Sequence, residues 1–119
     1  MLKKANLIML ATANKELRDY FRTRKGETDD WPVQVGHFLL DEISQDAFLN
    51  AADSTDAKKS SGQHCEAYFY IAIKFLRAGN VASAKLFFQQ CIDTNVKTFY
   101  EYRMARIKLK QLEDKNFTQ

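Results

Sequence analysis

The residues that could do chemistry in this sequence are a few thiols and imidazoles. Cys65 directly follows His64, and Cys91 comes later in the chain. A thiol beside an imidazole suits a cysteine nucleophile, and both groups are also zinc ligands. However, a nucleophile needs a base held in place, and no His/Cys spacing here matches a zinc site. We therefore expect both cysteines to occupy small-residue packing positions, with a disulfide between them as the alternative.

The carboxylates also fail to form a convincing reactive set. Adjacent acidic pairs occur at 29–30, 41–42 and 113–114. General acid–base catalysis needs carboxylates that converge on a pocket, whereas these pairs flank predicted helix ends, where acidic residues are expected. The sequence also lacks a glycine-rich loop that could cradle a phosphate. We predict a protein that is not an enzyme, with no catalytic residue, no cofactor and no metal site.

The charge balance is close to neutral and the basic residues are dispersed. The 119 residues include 18 Lys and Arg against 15 Asp and Glu, which gives a net charge of +3. Such a balance gives little of the phosphate neutralisation on which nucleic-acid binding depends, so nucleic acid is a distant alternative partner. No run approaches the ~20 apolar residues of a membrane span. The first 13 residues have some features of a secretory signal but fall short of one, which favours a cytoplasmic location.

The elements that must position these residues are helices. With only four Gly and one Pro, the chain lacks the turn residues of a many-stranded sheet, so we predict one all-α domain over 1–119. Apolar spacing and cap signals predict five or six helices. The predicted segments are an N-terminal helix at 1–25, two short helices within 31–52, a mobile polar loop at 53–62, a helical hairpin at 63–95, a last helix at 98–113 and a tail at 114–119.

Particular residues mark where these helices begin and end. Asp30, Ser44 and Asn80 are placed to cap helix N-termini, and Gly79 is placed to end the helix before Asn80 in a left-handed conformation. Thr98 and Glu101 fit a capping box at the start of the last helix. Because only two or three residues separate the helices around Gly79, these helices must run antiparallel.

The hairpin at 63–95 also fits a known repeat pattern. Its residues match the aromatic, aliphatic, small and turn positions of the 34-residue tetratricopeptide repeat. The matching residues are Tyr68, Ile71, Ala72, Phe75, Gly79, Ala84, Phe88 and Cys91. The pattern restarts at Tyr102, and Trp31 begins a weaker copy in which Glu42 replaces the turn glycine. We predict hairpins stacked as a short right-handed superhelix, with Ala84 small so that the helices can approach closely.

Beyond the general repeat, several segments resemble one bacterial family. Segments at 31–32, 38–44, 69–72 and 99–105 look like the C-terminal repeats of the new lipoprotein I family and of related small bacterial tetratricopeptide proteins. The resemblance implies a protein-binding adaptor, a possible homodimer and, as the alternative location, the periplasm or cell envelope. This chain departs from the family at Asp41 and Ala72, where members have glycine, and it lacks their lipidated N-terminal cysteine.

In such a repeat, the first helix of each hairpin faces the concave groove. The groove positions on two successive first helices are Glu66, Phe69, Ile73 and Leu76, then Tyr100, Arg103, Ile107 and Lys110. We predict that these eight residues bind a protein or peptide partner, with Phe69, Ile73 and Ile107 as an exposed apolar stripe. The alternatives are that a neighbouring helix covers the stripe or that a second copy of the chain pairs through it.

Overall fold

The computed structural model describes residues 30–118, and within that range it contains five α-helices and no strand. The all-α class is therefore confirmed. The helices are α1 (Trp31–Leu39), α2 (Gln45–Ala51), α3 (Ala57–Arg77), α4 (Val81–Asp93) and α5 (Tyr100–Thr118). The predicted helix at 1–25 lies outside the described residues. Helices α1 and α2 belong to one compact unit, and α3 to α5 belong to a second.

The first unit places α1 and α2 as a short hairpin. Asp30 holds the N-cap position in an extended conformation, and Pro32 follows in the first turn, as predicted. The turn between the helices lies one residue before the predicted position, because Asp41 and not Glu42 adopts a positive φ, of 61°. Asparagine and aspartate tolerate this left-handed conformation better than most residues, so the hairpin forms without glycine. The hydroxyl of Ser44 caps α2 by accepting a hydrogen bond from Ala47 N at 3.1 Å.

Aromatic rings form the core of this first hairpin. The ring of Phe48 is fully buried and stacks on Phe38, with centroids 4.3 Å apart, and on Trp31, with centroids 5.1 Å apart. Burial of such rings is among the largest apolar contributions a short hairpin can obtain. Trp31 therefore packs where the repeat pattern predicted an aromatic residue.

The second unit begins with a helix where we predicted a mobile loop. Residues 53–62 were expected to be irregular, yet α3 begins at Ala57. Asp56 caps this helix, because its carboxylate accepts hydrogen bonds from Lys58 N at 3.0 Å and Lys59 N at 3.2 Å. The loop prediction was wrong for residues 57–62 because a polar first turn carries no apolar periodicity. The Asp56 cap instead satisfies two of the backbone N–H groups that the start of a helix leaves without a partner.

Gly62 explains how the early part of α3 packs. A Cβ atom at this position would lie 2.9 Å from Cζ of Phe99, so the Phe99 ring rests directly on the glycine backbone. Glycine is unfavourable inside a helix, and here the close approach of a ring gives the reason for it. Gly62, the last residue of the predicted loop at 53–62, is therefore a contact point inside α3.

Helices α3 and α4 form the predicted antiparallel hairpin. Gly79 adopts a φ of +83°, and the side chain of Asn80 accepts a hydrogen bond from Ser83 N at 3.1 Å. Contacts then run in opposite directions along the two helices, from Phe75 with Phe87 near the turn to Cys65 with Cys91 at the far end.

The seam between these helices has the predicted mixture of small and aromatic residues. Ala72, Ala84 and Phe88 are fully buried there. Tyr68 and Phe75 are half-buried and lie against the ring of Phe87. The small residues let the backbones approach while the rings fill the space on either side.

The last helix, α5, packs on both α3 and α4. Its buried side presents Tyr102 and Ala105 to the common core. The helix begins two residues later than predicted and extends through Thr118, so the irregular tail predicted from 114 was wrong. Arg103 N bonds to the carbonyl of Phe99, which makes Phe99 and not Thr98 the residue that precedes the first turn. The expected capping box is therefore out of register.

Candidate functional site

The eight predicted groove residues fall on two helices at equivalent positions. Glu66, Phe69, Ile73 and Leu76, here called the α3 stripe, lie on α3. Tyr100, Arg103, Ile107 and Lys110, here called the α5 face, lie 34 positions later on α5. The structure gives these two equivalent sets different environments.

Three of the four residues of the α3 stripe lie in or against the core, and the fourth, Glu66, is half-buried. Phe69 is only 5% exposed, and its ring contacts the rings of Tyr70, Phe88 and Tyr100. Ile73 and Leu76 are half-buried and pack against the same core. The predicted exposed apolar stripe of Phe69, Ile73 and Ile107 is therefore wrong for Phe69 and Ile73. The spacing identified the helix face correctly, but spacing does not say whether neighbouring chain covers it.

The α5 face, in contrast, is open to solvent. Tyr100 is 59% exposed and Ile107 is 50% exposed, and Arg103 and Lys110 are exposed beside them. Residues spaced by three, four and seven positions share one side of a helix, so the four side chains form a single strip. Large apolar side chains exposed in a row with cations are a common composition for a protein-binding surface.

The strip is also electropositive along most of its length. Arg106 is exposed at its border, and together with Arg103 and Lys110 it places three cations within eight residues. The acidic residues on the exposed part of α5, Glu113 and Asp114, come only after this stretch. An arginine can hold a carboxylate through two parallel hydrogen bonds, which lysine cannot.

Several contacts fix α5 against the hairpin. The hydroxyl of Tyr70 on α3 donates a hydrogen bond to Oε2 of Glu101 at 3.2 Å. Burial, and then the negative charge of Glu101, raise the pKa of Tyr70 far above its ordinary value. The thiol of Cys91 lies 3.6 Å from the carbonyl oxygen of Glu101. The first turn of α5, which carries Tyr100, is thus tied to both helices of the hairpin.

The two cysteines occupy buried packing positions. Cys65 and Cys91 are fully buried free thiols, and their Sγ atoms lie 3.6 Å apart across the seam between α3 and α4. His64 does not contact either thiol; instead, its Nδ1 donates to the carbonyl of Ser60 at 2.8 Å. The geometry therefore does not assemble the Cys/His nucleophile that the sequence suggested.

One arrangement that the sequence did not reveal has the residue types of a hydrolase triad. Ser60 Oγ lies 3.3 Å from Nδ1 of His64, and Nε2 of His64 lies 3.0 Å from Oδ1 of Asp53. A backbone carbonyl can only accept, so the nearer bond to Ser60 O requires the proton on Nδ1. That nitrogen then has no lone pair to take the hydroxyl proton, which a triad base must do. The three residues instead fasten the segment before α3 to its first turns.

One exposed apolar side chain, that of Leu86, was not predicted from the sequence. Leu86 on α4 is 56% exposed, although the repeat pattern assigned no role to this position. It stands alone on its side of α4, because the residues three and four positions away are small or polar: Ala82, Ser83, Gln89 and Gln90. Scattered single apolar residues are normal on protein surfaces, so Leu86 supplies a useful comparison with the α5 face.

Two further findings concern metals and membranes. Among residues 30–118, no three His, Cys, Asp or Glu side chains come together as a metal site would require. Within the same range, no helix has the length and hydropathy needed to cross a membrane.

No protein-family model matches the chain, and the search of solved structures gave no significant match.

Proposed function

We propose that this protein is a non-catalytic adaptor that holds a protein or peptide segment on the α5 face. The single observation that carries the proposal is the exposed row of Tyr100, Arg103, Ile107 and Lys110 on a helix whose other side is fixed in the core. A rigid helix that presents apolar anchors needs little reorganisation to bind, which lowers the entropic cost of association.

The charge of the strip indicates what kind of segment would bind. Arg103, Arg106 and Lys110 surround the apolar Ile107. A complementary segment would carry apolar side chains for Tyr100 and Ile107 and carboxylates for the cations. We therefore propose an acidic, amphipathic protein segment as the partner.

The exposure of Leu86 allows a matched test. Wild type, Tyr100→Ala/Ile107→Ala and Leu86→Ala would each be immobilised and used to capture proteins from an extract of the source cells. Every captured protein would then be purified and its affinity for each bait measured by calorimetry. We expect binding to wild type and to Leu86→Ala, and a loss of at least about 10-fold for the double variant, because central anchors carry most of an interface energy.

Charge reversal and oligomer state complete the experiment. Arg103→Glu/Lys110→Glu should weaken the same partner, and high salt should weaken wild-type binding in the same direction. If the partner bound the double variant and wild type equally, the α5 face would not be the site. If light scattering showed a wild-type dimer that Tyr100→Ala/Ile107→Ala dissociates, the face would hold a second copy of the chain, and the adaptor proposal would be replaced.

A further inference from the structure

The cysteine pair lies in the core, on the seam between α3 and α4, and has a geometry of its own. Cys65 lies on α3 and Cys91 on α4, separated by 26 positions in sequence, with 3.6 Å between the two sulfur atoms. Both side chains are fully buried. Packing alone would explain two buried thiols, but it does not require that the sulfur atoms face each other across the seam.

We propose that Cys65 and Cys91 are an intramolecular redox pair that a peroxide converts into a disulfide joining α3 to α4. A disulfide needs sulfur atoms about 2.05 Å apart on side chains that point towards each other. The two sulfur atoms are in van der Waals contact on facing helices, so the fold already holds together the two groups that the disulfide would join.

The burial of both thiols determines which class of oxidant fits. A glutathione-sized disulfide would have to attach to a sulfur that has no exposed surface. A peroxide such as H₂O₂ is close to water in size and can reach a buried thiol through small local openings of the helices. We therefore name hydrogen peroxide as the oxidant.

The reaction balances in two steps. The Cys65 thiolate attacks one peroxide oxygen, the O–O bond breaks, and hydroxide leaves to be protonated to water, which makes Cys65 a sulfenic acid. The Cys91 sulfur then attacks the Cys65 sulfur, the S–O bond breaks, and the hydroxyl leaves as a second water with the proton from Cys91. The two thiols together lose two electrons and two protons, and the peroxide takes them up and becomes two waters.

The surroundings assign the two roles. Cys91 donates its S–H to the carbonyl oxygen of Glu101, and a carbonyl can only accept, so this contact keeps the proton on Cys91. In agreement, the pKa of Cys65 is lowered, chiefly by its hydrogen bond with Cys91, whereas the pKa of Cys91 is raised, chiefly by its hydrogen bond with Cys65 and then by burial. Because the thiolate is the nucleophile, Cys65 is the residue that attacks the peroxide and is oxidised first, and Cys91 is the resolving thiol. Closure also removes the Cys91 S–H donor from the carbonyl of Glu101, at the start of α5.

The test uses the whole folded chain and peptide mapping. The reduced protein would be treated with hydrogen peroxide, alkylated and cut with trypsin, which separates the two cysteines because Lys74 and Lys85 lie between them. We expect a linked pair of peptides lighter by two hydrogens, released by dithiothreitol. The closed loop should lower the unfolding equilibrium constant on the order of 100-fold, seen as a higher urea midpoint.

Two variants separate the steps. In Cys91→Ser, peroxide should leave a sulfenic acid on Cys65 that dimedone traps, whereas Cys65→Ser should give much less trapping at Cys91. If Cys91→Ser fails to fold by circular dichroism, Cys91→Ala takes its place. The proposal is overturned if peroxide treatment of the folded protein leaves both thiols reduced, so that both are alkylated after unfolding, while the urea-unfolded chain becomes linked. It is also overturned if the only linkage found joins two chains.

Discussion

The α3 stripe and the α5 face lie 34 positions apart in sequence, as the tetratricopeptide pattern predicts for equivalent positions, yet the first is mostly covered and the second is exposed. Ile73 and Ile107 show the difference best, because they are the same residue type 34 positions apart. The side chain of Ile73 is mostly buried against the core, whereas the side chain of Ile107 is 50% exposed. The comparison teaches that sequence spacing identifies a helix face, and that the neighbouring chain then decides whether the face supports the fold or is available to a partner.

The cause of the difference is visible in how the helices pack. Phe69 lies among Tyr70, Phe88 and Tyr100, so α4 and α5 both contribute to covering α3. On α5, the corresponding position is held by Arg103, an exposed cation. A buried arginine without a partner would be costly, so the change from Phe to Arg agrees with the change of environment.

The largest expected loss of stability comes from a substitution in the α3 stripe. Phe69→Ala removes a ring that is 5% exposed and leaves a cavity among three other rings, so we expect a loss of about 3–5 kcal/mol in the free energy of unfolding. Urea denaturation would measure it. Phe69→Leu is the control, because it keeps most of the apolar volume and should lose much less. If Phe69→Ala lost only a few tenths of a kcal/mol, Phe69 would be a surface residue as the sequence first suggested.

A smaller change in the free energy of unfolding is expected from Tyr70, which joins α3 to α5. Burial raises the pKa of Tyr70 above its ordinary value of 10.0, so the folded state keeps the phenol proton at a pH where the unfolded chain releases it. This stabilising contribution is fully present below about pH 10 and is lost progressively above it. Wild type should therefore lose stability more steeply than Tyr70→Phe above that pH, by up to about 1.4 kcal/mol per pH unit.

Urea denaturation of the two proteins between about pH 9 and pH 11 would measure this difference. Taking the difference between them cancels the titration of the lysines and of the other tyrosines. Equal slopes in the two proteins would show that the Tyr70 hydroxyl is not held by Glu101 in a buried setting.

The sequence was sufficient for the features that depend on local signals. Gly79 and Asn80 mark the turn between α3 and α4, and Ser44 marks the start of α2, because caps and left-handed residues depend on the nearest backbone groups. The small residues Ala72 and Ala84 were also found, since their spacing reports on close helix approach.

Features that depend on distant chain were predicted less well. The polar first turn of α3 is stabilised by the Asp56 cap, and its Gly62 is explained only by Phe99, which lies 37 positions later. The capping role assigned to Glu101 was wrong because α5 begins at Tyr100, and the Glu101 carboxylate instead accepts a hydrogen bond from Tyr70 on another helix. At the candidate site, half of the predicted residues lie on the open α5 face. Of the others, Phe69, Ile73 and Leu76 lie in or against the core, and Glu66 is half-buried. Periodicity alone does not distinguish these two outcomes.

The most direct test of the central claim is the free energy of unfolding of Ile73→Ala and Ile107→Ala, measured side by side in urea. The two variants make the same chemical change at equivalent positions. We expect Ile73→Ala to lose about 1–2 kcal/mol because it packs on the core, and Ile107→Ala to stay within about 0.5 kcal/mol of wild type. An equal loss for both variants would show that the α5 face belongs to the core and is not available to a partner.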